Sequence, residues 1–264
     1  MPVNTFNSYK TLGVLGGMGS YSSLNFYKRL LELTPAKEDQ DYIRVIIDSN
    51  SKVPSRVDAI LQSGEDPVPA MLESLHLLQN AGADLIAVPC NTSHYYFSSF
   101  KSAVTVPILN IIETAVSHIS TTCQSVKYVG ILASEATIKN DLYQKQLKMQ
   151  GYQPLILSDS DQKNLINEAI YSEKGLKAGF INSENEDLVI SACDNLIARG
   201  AEVIISGCSE LPLVLDSNKC TIPLVDSATT LAQVCVDAIL FPKVYSDVVE
   251  STKVKQTVHS NMLV

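Results

Sequence analysis

Two cysteines in matching surroundings are the residues of this chain best suited to chemistry. Gly82-Ala83-Asp84-Leu85-Ile86-Ala87-Val88-Pro89-Cys90-Asn91-Thr92 is echoed 118 residues later by Gly200-Ala201-Glu202-Val203-Ile204-Ile205-Ser206-Gly207-Cys208-Ser209-Glu210. Each phrase runs from Gly-Ala-acid through a short apolar segment to a small turn residue, a cysteine and polar residues. Two thiols on opposite sides of one small molecule could take a proton from one face of a carbon and return one to the other. Cysteine suits both roles, because its ordinary pKa of about 8.5 can be tuned by its surroundings. Helix N-termini following Cys90 and Cys208 would favour a thiolate. Asn91, Thr92, Ser209 and nearby backbone N–H groups could hold a carboxylate and spread charge in a carbanion-like transition state. The plainer alternative is a pair of buried strand-end cysteines left by duplication, and the polar neighbours at both sites argue against it.

The elements that must carry these thiols repeat as well. Leu12-Gly13-Val14-Leu15-Gly16 matches Val129-Gly130-Ile131-Leu132-Ala133, and Val106-Pro107-Ile108-Leu109-Asn110 matches Ile222-Pro223-Leu224-Val225-Asp226. Three matches in one order, at nearly one offset, predict two similar α/β halves related by a pseudo-twofold axis, with the site between them. The apolar runs suit buried parallel strands, which puts each cysteine at a strand's C-terminal end, where open α/β sheets bind ligands. Strands are predicted at 12–15, 43–47, 85–88, 106–109, 128–132, 154–157, 203–205 and 223–225. Helices are predicted at 21–33, 67–80, 95–100, 111–120, 136–149, 162–173, 187–198 and 228–240. This alternation is that of mainly parallel sheets flanked by helices. The predicted domains are residues 1–115 with a returning segment 223–264, and residues 116–222. Beyond Phe241 weak periodicity gives a helical start and a frayed end.

The turn Gly16-Gly17-Met18-Gly19-Ser20 follows a strand and opens a helix, but it lacks both the dinucleotide glycine spacing and a P-loop lysine. It reads as a tight turn whose backbone approaches a small anion.

Composition limits the partners. The net charge of −8 argues against nucleic acid, which favours a basic face. No apolar run reaches the roughly 18 residues of a membrane span, and the N-terminus lacks a secretory pattern. The six cysteines form no CxxC pair and have no finger-spaced histidines, so neither a zinc site nor a disulfide framework is expected. A reducing cytoplasm suits free thiols. Cys123, Cys193, Cys220 and Cys235 read as ordinary small residues.

Pro89-Cys90-Asn91-Thr92-Ser93-His94 resembles the PCNTxH motif of the aspartate/glutamate racemase superfamily, and Gly207-Cys208-Ser209-Glu210-Leu211 resembles its GCTEL motif with serine for threonine. Gly16-Gly17-Met18-Gly19 resembles the GGMG segment of the aspartate racemase branch. The resemblance spans about residues 12–240. It implies a cofactor-independent racemase that uses no pyridoxal phosphate or metal, with Cys90 and Cys208 as the two acid/base residues, two α/β domains and a homodimer. Asn50-Ser51-Lys52-Val53-Pro54-Ser55-Arg56 resembles that branch's N-P-x-x-P-D-R, and Gly175-Leu176-Lys177-Ala178-Gly179 its G-[IV]-K-A-G. Arg56 and Lys177 would then clamp the distal carboxylate of a dicarboxylic amino acid, aspartate first. Met18, Asn91, Thr92, Ser209 and Glu210 complete the expected substrate contacts, and His94 supports its loop. Glu210 would orient the second cysteine or face the substrate amine. Ser51 and Ser55, standing for Pro and Asp, leave glutamate or a broader range as alternatives. A relative's single-cysteine nucleophilic isomerisation and a catalytically silent binder of dicarboxylic amino acids are the remaining rivals.

Overall fold

The computed structural model describes residues 11–123 and 125–241. Eight strands form two four-stranded, fully parallel sheets. The first contains β1 (Thr11–Gly16), β2 (Arg44–Ser49), β3 (Leu85–Ala87) and β4 (Ile108–Leu109), in the order β2-β1-β3-β4. The second contains β5 (Tyr128–Ala133), β6 (Gln153–Leu155), β7 (Val203–Gly207) and β8 (Leu224–Asp226), in the equivalent order β6-β5-β7-β8. Register repeats too: Gly13 pairs with Ile86, and Gly130 with Ile204.

Helices make the crossovers that parallel strands require. In the first half these are α1 (Ser20–Leu33), α2 (Arg56–Leu61), α3 (Val68–Asn80) and α4 (Phe97–Ala103), with α5 (Ile111–Thr122) leading into the second half. There follow α6 (Glu135–Lys139), α7 (Leu142–Met149), α8 (Asp159–Asp161), α9 (Glu168–Tyr171), α10 (Ser183–Ala198) and α11 (Ser227–Leu240). A π-helical stretch, Gln162–Asn167, joins α8 to α9.

Alternation along the strands explains their unbroken apolar runs. Leu12 and Val14 point into a cluster that also takes Val129 and Ile131 of β5, whereas Leu15 points to the opposite face with Met71 and Leu75 of α3. Leu132 likewise faces away, toward Val189 and Leu196 of α10. Successive strand residues face opposite sides, so a strand covered on both must be apolar throughout. The inner faces of both sheets meet α1, α5, α7 and α11 in one continuous core.

Three expectations change. The helix expected over 136–149 is two, because Asp141 sits at φ 57 and ends the first turn of chain before α7 begins. The helix α2 went unpredicted, although Ser55 caps it by accepting from the Asp58 N–H. The returning segment does not begin at 223: β8 pairs with β7 in the second sheet, and it is α11 that packs against α1 and α5. The helical start expected beyond Phe241 lies outside the described residues, as do residues 1–10.

Candidate active site

The C-terminal ends of β1, β2, β3 and β7 deliver their following residues to one cavity of about 280 Å³. In each sheet the cysteine strand lies beside the first strand, at the point where the connections diverge to left and right and ligands are commonly held. Cys90 follows β3 and Cys208 follows β7. Both thiols line this cavity and both are buried. Met18, Arg56, Asn91, Thr92, Lys177, Ser209 and Glu210 line it with them, so all the expected substrate-contacting residues converge there. Among the described residues no three His, Cys, Asp or Glu side chains gather as a metal cluster. No helix there is long and apolar enough to cross a membrane.

The two thiols are held differently. Cys208 Sγ donates to Glu210 Oε2 at 3.0 Å. Burial, together with the charge and hydrogen bond of Glu210, pushes this thiol well above its ordinary pKa. Glu210 itself stays ionised: burial works to raise its pKa, but Lys177 and the Cys208 thiol outweigh it. Lys177 Nζ lies 3.1 Å from Glu210 Oε1. Gly207, just before Cys208, has no room for a side chain, because a Cβ there would come within 2.7 Å of the Tyr143 ring.

Cys90 sits in a turn that is fastened to the second half. Tyr143 OH donates to Asn91 Oδ1 at 2.6 Å, and Asn91 Nδ2 donates to Ser227 Oγ at 3.2 Å. Burial holds the Tyr143 phenol protonated, as a donor must be. Thr92 Oγ1 shares hydrogen bonds with Ser134 Oγ at 2.8 Å and Thr137 Oγ1 at 3.2 Å. The Asn91 and Thr92 side chains, expected to hold a carboxylate, are thus largely engaged in joining the halves. The helix N-termini expected behind the cysteines are also slight. Only 3-10 turns follow, Thr92–Tyr96 and Leu211–Leu213, so a helix dipole does little for either thiol.

Arg56 is the main charged feature of the opposite wall. The residue is 9% exposed; its guanidinium donates to the carbonyls of Val53 (3.2 Å), Pro54 (2.9 Å) and Met18 (3.2 Å), while its Nε has no partner among the described residues. No carboxylate pairs with it among the described residues. Lys177 Nζ also reaches toward the Met18 carbonyl, at 3.5 Å. The glycine turn therefore turns a carbonyl toward two cations, in place of the expected approach of its backbone to an anion. Sequence reasoning missed Tyr171, Val53 and Val57 as wall residues. Tyr171 lies within cation–π range of Lys177, with 5.8 Å from Nζ to the ring centre. No motif flags it, since it comes from a different element.

His94 is structural. Its ring is buried, with Nδ1 3.0 Å from the Cys90 carbonyl and Nε2 accepting from the Ile111 N–H at 3.2 Å. One neutral tautomer, protonated at Nδ1, satisfies both. Burial lowers its pKa from 6.5 to about 4. Unfolded chains bind this proton below about 6.5 and the folded protein does not until about 4. Stability from this group is therefore complete above 6.5 and is lost as pH falls toward 4, by about 3 kcal/mol. Urea titrations at pH 7 and pH 4.5 should show a loss that shrinks in His94→Asn; an equal loss in both proteins would contradict the assignment.

Comparison with known proteins bears on the family and the fold. The family model described as Asp/Glu/hydantoin racemase matches residues 15–235. The broad-specificity amino-acid racemase RacX of Bacillus subtilis is 31% identical over 233 residues, covering 87% of this chain and 98% of that protein. Among solved structures, Picrophilus torridus aspartate racemase superposes with a TM-score of 0.76 at 24% identity, covering 86% of this chain and 93% of that one. An aspartate racemase homologue from Pyrococcus horikoshii gives 0.68 at 26% identity, with 87% and 99% covered. With the matched model spanning most of its length, this chain belongs to the Asp/Glu/hydantoin racemase family.

Proposed function

We propose that the protein is a cofactor-independent amino-acid racemase that inverts the α-carbon of a dicarboxylic amino acid, aspartate first, between Cys90 and Cys208. The observation that carries this reading is the shared cavity: two thiols from equivalent strands line it together with a buried guanidinium that has no carboxylate partner among the described residues. In one direction the Cys90 thiolate removes the α-proton and the Cys208 thiol reprotonates the opposite face; the reverse direction exchanges the roles. Glu210 holds Cys208 in its donor form at the start of that first direction. The backbone N–H groups of the two cysteine turns bear the α-carboxylate, whose charge grows as the carbanion forms. Arg56 takes the distal carboxylate. Chiral analysis of L-Asp, D-Asp, L-Glu and D-Glu incubated with the reduced protein tests the reading, and no interconversion of any of them would reject it.

A second reading rests on Lys177. Because Glu210 already neutralises it, Arg56 is the cation left for a ligand, and one cation suits one carboxylate. If Arg56 binds the α-carboxylate, the side chain meets Met18, Val53, Val57 and Tyr171, which would admit neutral amino acids. Arg56→Met separates the two readings. Under the first, kcat/KM falls roughly 10- to 100-fold for aspartate and stays level for alanine. Under the second, both fall together. Equal turnover of wild type and variant on aspartate would defeat both assignments of Arg56.

A further inference from the structure

Away from the catalytic cavity, two further thiols meet inside the second half. Cys193 lies on α10 and Cys220 on the loop that joins the Cys208 turn to β8. Their sulfurs are 3.3 Å apart. Both belong to the cluster that also packs Cys208, Leu211 and Leu215. The ion pair Lys219–Glu186, at 2.8 Å, ties the same loop to α10 and keeps the thiols in register. Lys219 Nζ also donates to the Val214 carbonyl at 2.9 Å.

We propose that Cys193 and Cys220 are a peroxide-oxidised modification site that closes to a disulfide. A disulfide has its sulfurs about 2.05 Å apart, so closure needs an approach of a little over 1 Å, within reach of an irregular loop. No motif links these cysteines, since 26 residues of unrelated pattern separate them.

The pair is chemically unequal. The hydrogen bond from Cys193 lowers the pKa of Cys220, helped against burial by the Ile222 N–H, and Cys193 is raised in turn. The thiolate is the nucleophile, so Cys220 attacks first. It is 8% exposed on its loop, and Cys193 is 1% exposed, which favours a small oxidant. The Cys220 thiolate displaces hydroxide from hydrogen peroxide, breaking the O–O bond and forming a sulfenic acid. The Cys193 sulfur then displaces the sulfenic hydroxyl, and its proton leaves with that oxygen as water. In sum, two thiols lose two electrons and two protons, and one peroxide becomes two waters. Cys208 resists the same oxidant, because its hydrogen bond to the Glu210 carboxylate keeps it a thiol.

The test uses the full chain, reduced and then given up to two equivalents of hydrogen peroxide. Free thiols are alkylated and the protein is digested without reductant. The expected product is about 2 Da lighter before alkylation, yields a cross-linked peptide pair holding Cys193 and Cys220, and carries alkylated Cys208. Dithiothreitol reverses it. Oxygen adducts on Cys90 or Cys208 with the other pair still alkylated would overturn the proposal. So would sulfinic acid on Cys220 beside a free Cys193. In Cys193→Ser, Cys220 should stop at the sulfenic acid and be captured by dimedone. The wild-type map decides the question even where that variant does not fold.

Discussion

Cys90→Ala and Cys208→Ala should each lower racemisation by about 10²–10⁴-fold, the range ascribed to a positioned general acid or base. The more telling result is in α-hydrogen exchange. With Cys208 gone, Cys90 can still take a proton from the enantiomer that presents its α-hydrogen to β3's turn, and can return deuterium to the same face. That enantiomer exchanges without inverting, and its mirror image does neither. With Cys90 gone, the pattern reverses. NMR in D₂O, run separately on each enantiomer of aspartate, reads this directly. Near-wild-type interconversion by either variant would end the two-thiol mechanism. Exchange of the same enantiomer by both would mean that the thiols do not face each other across the substrate.

Gly17→Ala should damage the protein more than any other single methyl added to the cavity wall. Gly17 adopts φ 83, and a Cβ there would come within 2.3 Å of the Asn50 backbone. Asn50 has little freedom to retreat. Its side chain donates to Ser74 Oγ on α3 at 3.0 Å and accepts from the Lys52 N–H at 3.0 Å. The clash must separate the turns that follow β1 and β2, and Met18, whose carbonyl receives Arg56 and Lys177, moves with them. A loss of about 3 kcal/mol, lowering Tm by roughly 6–12 °C, is expected. Gly151→Ala is the control. It shares the positive φ but has open space at its Cβ position, so it should cost only about 1–2 kcal/mol. If both variants melt together by calorimetry, the close approach of the two turns is not what matters.

The parts of this fold that could be read in the sequence are those set by local physics. Runs such as 203–205 must be apolar because both faces of the strand are covered, and the repeat of such runs gave the two-sheet plan. The thiols were legible because each closely follows such a run, with Pro89 before Cys90 and Ser206-Gly207 before Cys208. The supports of the site were not. Tyr143 and Ser227 reach Asn91 across 52 and 136 residues, and no spacing rule links positions so far apart. The neutralisation of Lys177 by Glu210 depends on how two loops of the second half, one before α10 and one after β7, come together. Arg56 was placed in the site by its motif, but its anchoring to three carbonyls needed the turn of 53–56 to be seen. The break at Asp141 gave no signal because its flanks, 136–139 and 142–149, both read as good helix.

The fastening of Cys90's turn to Tyr143, Ser134, Thr137 and Ser227 has a consequence for turnover. The bonds from Tyr143, Ser134 and Thr137 cross the seam between the halves. Cys208, by contrast, leans on Glu210, two residues along its own turn. Any parting of the halves would therefore loosen the surroundings of one thiol and spare the other, whose support is carried within its own turn.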